Sequence, residues 1–176
     1  MFTKRFIAIL FSMVLFIGNV SAFASTSPNS ENTEAIIVSE RTYYDEDLEA
    51  EVREVITYEP VYEKSNNRNI VGSGHYTKSN TYTWMSGEEM VYYVGADFEW
   101  NDEENYIYAY NPISGVYNQP ASIAIINTDR NISYGQYFFF FNRYVDVDFS
   151  FQSYNMIGST KDFSISIRVS QTGSVS

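Results

Sequence analysis

Residues 92–100 read YYVGADFEW, and the alternation inside that stretch decides the fold. Tyr92, Val94, Ala96, Phe98 and Trp100 form one row, and Tyr93, Gly95, Asp97 and Glu99 form the other. Successive side chains of a β-strand point to opposite faces, so this period of two describes a strand with one apolar face and one more polar face. The rhythm returns at Val145, Val147, Phe149 and Phe151 against Asp146, Asp148 and Ser150. It returns again at Phe163, Ile165, Ile167 and Val169 against Ser164, Ser166 and Arg168.

Less regular β-rich stretches lie at 36–44, 52–62, 75–84, 106–111, 122–127 and 136–142. Turn chemistry separates them at Ser86-Gly87, Asn111-Pro112 and Asn118-Gln119-Pro120. One segment competes. In 45–56, Leu48, Val52, Val55 and Ile56 keep helical spacing behind Asp45 as a cap. The β-branched, tyrosine-rich continuation favours a hairpin turning near 45–49 instead. Eight or so short strands joined by turns predict an all-β protein, an antiparallel two-sheet sandwich of immunoglobulin-like type.

The other end of the chain gives an address. Lys4-Arg5, an apolar run of 12 residues over 6–17, and small residues at Ala22 and Ala24 have the layout of a secretory signal peptide. The run is shorter than the ~20 residues that span a bilayer, so cleavage after Ala24 and a secreted product are expected. Residues 25–34 read as a flexible leader, and the β-sandwich domain is expected over 35–176. No transmembrane anchor is expected after cleavage. The absence of cysteine excludes disulfides, thiol catalysis and zinc–cysteine sites.

Without the signal, nine basic side chains face 22 acidic ones. That sign opposes nucleic acid and anionic polymers, so neither is expected as a partner. The acidity is lopsided, with 18 acids and five bases over 31–104 but four of each over 105–176.

Few residues offer chemistry. His75 is the only histidine, which leaves it as the base of any serine-histidine-acid triad and excludes multi-histidine metal sites. Nothing marks a partner serine as activated, so the reading is an imidazole near a strand start. Asp97, Asp102 and Glu104 form a candidate calcium set at a strand end, although the spacing lacks the EF-hand glycine; the alternative is a solvated hairpin tip. Paired carboxylates suited to a glycoside hydrolase can be drawn anywhere among 22 acids, so no pair is singled out.

The 16 tyrosines are more than a core needs, and tyrosine supplies amphipathic contact surface at low entropic cost. Tyr106, Tyr108 and Tyr110 share one face of a strand, with Ile107 and Ala109 on the other. If Ile107 and Ala109 face the core, the tyrosines form a stripe able to stack on sugar rings or on a protein. The reverse register, tyrosines inward, is favoured because phenols suit sandwich cores where their hydroxyls reach the rim. The run of four phenylalanines at 138–141 puts large apolar groups on both faces, which suits a central strand or self-association through Phe138 and Phe140. A membrane hairpin at 145–151 is a further alternative, though no matched partner precedes it.

Three stretches, GSGHYTKSNTYTW over 72–84, VGADFEWND over 94–102 and FSISIRVSQTGSVS over 163–176, carry a resemblance. Together they resemble small secreted β-sandwich proteins of Gram-positive bacteria, with Asp102 where that pattern has glycine. The resemblance implies export and a sandwich, and brings no activity with it. The expected function is a secreted, non-catalytic module binding a glycan or a protein surface, with no cofactor beyond the calcium candidate. A self-associating structural protein and a small secreted hydrolase are the alternatives.

Overall fold

The structure, a computed structural model, describes residues 34–60, 72–136, 143–155 and 158–176. The signal-like segment, nearly all of the leader and the phenylalanine run at 138–141 lie outside the described residues. The described chain holds eight antiparallel strands: β1 (Ile36–Asp45), β2 (Ala50–Pro60), β3 (Gly72–Trp84), β4 (Glu89–Asn101), β5 (Tyr106–Tyr117), β6 (Ile123–Gln136), β7 (Arg143–Asn155) and β8 (Thr160–Ser170). They make two sheets, β1-β2-β3-β4-β5 and β6-β7-β8. The sheets pack face to face, with β8 against β3 and β4, β7 against β4 and β5, and β6 beside β5. Among the described residues, no helix is long and apolar enough to cross a membrane.

All three alternating rows become the inner faces. Val94, Ala96, Phe98, Val145, Val147, Ile167 and Val169 are fully excluded from solvent, and Tyr92, Phe149, Phe151, Phe163 and Ile165 nearly so. The rings of Tyr92, Phe151 and Phe163 meet at 5.0 to 5.7 Å between centroids, locking β4 of one sheet onto β7 and β8 of the other. Such ring pairs add about 0.5–1.5 kcal/mol each beyond their burial.

The strand order corrects the immunoglobulin-like expectation. That fold deals consecutive strands between its sheets through Greek-key connections. Here every neighbour in each sheet is also the next strand in sequence, and the chain passes from one sheet to the other between β5 and β6. Local hairpins account for the difference. The 45–56 segment is one of them: Asp45 Oδ1 accepts from the backbone N–H of Asp47 and Leu48 at 3.0 and 3.1 Å. The capping chemistry thus closes a β-turn between β1 and β2, and no helix forms there.

Two strands run across turn-like or polar sequence. β5 runs through Asn111-Pro112 to Tyr117 because a register shift opposite Gly95–Asp97 absorbs the proline, with Asn111 at φ +49°. A proline without an N–H is tolerated at the edge of a sheet, and β5 is an edge strand. β6 is continuous across residues 128–135, which lie between the expected stretches 122–127 and 136–142. As an edge strand it is mostly exposed, so the polar residues 128–131 carry no apolar alternation to betray it.

Candidate functional site

The outer face of the five-stranded sheet collects the chemistry. In the antiparallel register, Ser73, Glu99 and Tyr108 lie side by side across β3, β4 and β5, and His75, Asp97 and Tyr110 form the next row. Ile107 and Ala109 are buried, so Tyr108 and Tyr110 point outward. This overturns the favoured inward register. Cross-strand size matching gives the reason: Ala109 sits opposite Phe98 and Ile107 opposite Trp100, and those large inward rings leave room only for small neighbours.

Tyr108 and Tyr110 stack with centroids 6.1 Å apart and planes 20° apart. A third ring extends the row. Tyr134 of β6 lies 6.2 Å from Tyr108 at 19°, and its hydroxyl donates to the Ala109 carbonyl at 3.4 Å. Burial raises the Tyr134 phenol above its usual pKa, and the neighbouring Tyr108 adds to the rise. The hydroxyl therefore stays protonated at neutral pH. Tyr106, at the start of β5 opposite Asn101, is half-buried.

Polar groups flank the rings. His75 Nδ1 lies 2.7 Å from Asp97 Oδ1, and Asn111 Nδ2 donates to Asp97 Oδ2 at 2.9 Å. The Tyr110 hydroxyl donates to Glu99 Oε1 at 3.3 Å. A carboxylate acceptor fixes the imidazole proton on Nδ1, which leaves Nε2 as the ring's remaining hydrogen-bonding atom. Asp97 is the one described partner of His75, so the described residues assemble no hydroxyl–imidazole–carboxylate relay.

The candidate calcium residues are put to other tasks. Asp97 holds His75 and Asn111, whereas Asp102 accepts from Gln171 Nε2 at 3.1 Å. Glu104 is exposed, and its backbone N–H donates to Asn101 Oδ1 at 3.0 Å. No group of three histidine, cysteine, aspartate or glutamate side chains able to hold a metal occurs among the described residues.

Sequence reasoning grouped Tyr106, Tyr108 and Tyr110 on one face, with the inward register favoured, and missed Tyr134, His75–Asp97 and Asn111 as neighbours. His75 and Asp97 are 22 residues apart and meet only through the β3–β4 register. Tyr134 comes from the second sheet, and no local pattern marks it. Comparison with protein-family models, with curated proteins and with solved structures finds no match for this chain.

Proposed function

We propose that this protein is an exported, non-catalytic binding module that takes up glycan on the outer face of its five-stranded sheet. The observation that carries the reading is the outward row Tyr110–Tyr108–Tyr134, held over buried Ile107 and Ala109 and flanked by Asp97, Glu99, Asn111 and His75. Aromatic rings present apolar faces to the C–H faces of sugars, while carboxylate, amide and imidazole groups exchange hydrogen bonds with hydroxyls. Residues 1–24 carry the address that places such a module outside the cell. In Tyr108→Ala, retention on immobilised cell-wall polysaccharide should fall roughly threefold to tenfold, the worth of one ring contact, with an unchanged melting temperature. Undiminished retention in that variant removes the reading.

A second reading, self-association, is favoured by β1. It is a sheet edge on which Ile36, Ile37 and Val38 are 56%, 54% and 48% exposed. Unpaired N–H and C=O groups beside exposed aliphatics are a template for another strand.

A further inference from the structure

Where the row of tyrosines ends, a cleft begins. It has a volume of about 390 Å³ and is lined by Ile107 of β5, Tyr134, Gly135 and Gln136 of β6, and Arg143 and Tyr144 of β7. That is within the usual range for a small-ligand site, roughly 300–1,000 Å³. Tyr134 belongs to both features, stacking on Tyr108 and forming one wall of the cleft.

Among the described residues, the cleft holds one cation without an ion-pair partner. Arg41, Arg53, Lys78 and Arg168 are each ion-paired to a carboxylate, and Arg130 donates to the Pro112 carbonyl at 2.7 Å. Arg143 is the one described arginine whose guanidinium has no such partner among the described residues. Its backbone is anchored, because Gln171 Oε1 accepts from the Arg143 N–H at 2.8 Å and the Gln171 N–H donates to the Arg143 carbonyl at 3.0 Å. Tyr144, the next residue of β7, points to the opposite face of the strand, its ring fixed beneath the Arg168 guanidinium at 4.0 Å, and Arg168 is held in turn by both oxygens of Asp146 at 2.6 and 2.8 Å. The Arg143 guanidinium, without an ion-pair partner among the described residues, thus extends from an anchored backbone.

We infer that this cleft receives the carboxylate of an acidic sugar at the end of a glycan lying along Tyr110, Tyr108 and Tyr134, with Arg143 as its ion-pairing partner. The inference rests on the binding reading above and adds the ligand's charge to it. A guanidinium matches a carboxylate as a planar two-pronged donor, and Gln136 and Tyr134 offer hydrogen bonds to ring hydroxyls. The protein's overall acidity does not oppose a single anionic group here. The cleft is built from the half of the chain, 105–176, in which acids and bases balance at four each.

Two probes test it on the full chain by titration calorimetry: cellotetraose, and the same oligosaccharide ending in glucuronic acid. The acidic probe should bind tenfold or more tightly at low salt, in line with a hydrogen bond to a charged group, and the advantage should shrink as salt is added. In Arg143→Gln the preference should vanish. In Arg143→Lys, which keeps the charge but loses the fork, it should fall without disappearing, and that variant decides the matter if the glutamine variant does not fold. Equal binding of both probes by the native protein, or a preference that survives Arg143→Gln, overturns the acidic-sugar assignment and leaves the tyrosine platform standing. Binding of neither probe at millimolar concentration overturns both.

Discussion

Tyr92 sits at the centre of a polar chain inside the core, its hydroxyl donating to Tyr82 at 3.3 Å and accepting from Asn80 Nδ2 at 3.2 Å. Asn80 Oδ1 is buried without a hydrogen-bond partner among the described residues, a cost that the surrounding packing must offset. Burial raises the pKa of Tyr82 and Tyr92, and pushes Tyr76 up to about 12, with Tyr58 adding to that rise. A tyrosine of the unfolded chain ionises near pH 10, whereas these stay protonated in the fold. Their contribution to stability is therefore complete below about pH 10 and is lost as pH climbs through the folded-state values. Each withheld proton steepens the loss by about 1.4 kcal/mol per pH unit. Urea unfolding followed from pH 9 to pH 12 should show this decline, and Tyr76→Phe should flatten it by about one proton. Tyrosinate absorbance that titrates fully near pH 10 with the fold intact would contradict it. The residue scale is also where the sequence is hardest to read. Tyr106 to Tyr110 has apolar character on both rows, and its register was settled by Phe98 and Trp100 on another strand. No spacing within β5 contains that information.

Elements were legible where one face is dry and the other wet. β4, β7 and β8 announce themselves because each has a sheet packed on one side only. Two of the edge strands do not: β6 is mostly exposed, and β1 is exposed on both faces. Charge helps hold β1 in place. Arg41 Nε pairs with Glu54 Oε1 at 2.8 Å on one face, and Arg53 Nε with Glu40 Oε1 at 2.7 Å on the other, both at the solvent-exposed surface where such pairs contribute little. Its outer edge carries Ile36, Ile37 and Val38, so Ile37→Lys should abolish any concentration-dependent rise in light-scattering mass. If that rise persists in the variant, β1 is not the contact. The C-terminal segment plays the opposite part at β8. Ser176 exchanges two backbone hydrogen bonds with Arg168 at 3.0 Å, and the Tyr76 hydroxyl donates to the Gly173 carbonyl at 3.1 Å. Gly173 is at φ +76° with the Trp100 indole against it, where a side chain has no room. Buried Gln171 ties this segment to Arg143 and to Asp102 in the β4–β5 turn. Gln171→Ala should cost about 1–3 kcal/mol in urea unfolding, the price of orphaning buried polar groups. A loss under 0.5 kcal/mol would reduce the clasp to ornament.

At the level of the whole molecule, the all-β, two-sheet architecture was legible and its wiring was not. Alternation says which residues are buried and is silent about which strand lies beside which. Hairpin chemistry filled part of that gap at Ser86-Gly87 and around Asp45, where short turns force neighbours in sequence to be neighbours in space. The result is a chain written as two consecutive blocks, one per layer, joined by the single link at 118–122. Backbone continuity across that link contributes proximity and nothing else to the interface. Cut there, the two pieces should behave as a bimolecular reporter. Each alone exposes one half of the aromatic contact among Tyr92, Phe151 and Phe163 and precipitates, while co-expression restores a soluble one-to-one complex. A soluble, monomeric piece on its own would mean that the layers do not depend on each other. In an evolving genome, the same block layout would let either layer be exchanged by one recombination event, with Tyr108 and Tyr110 inherited from the first piece and Tyr134 and Arg143 from the second.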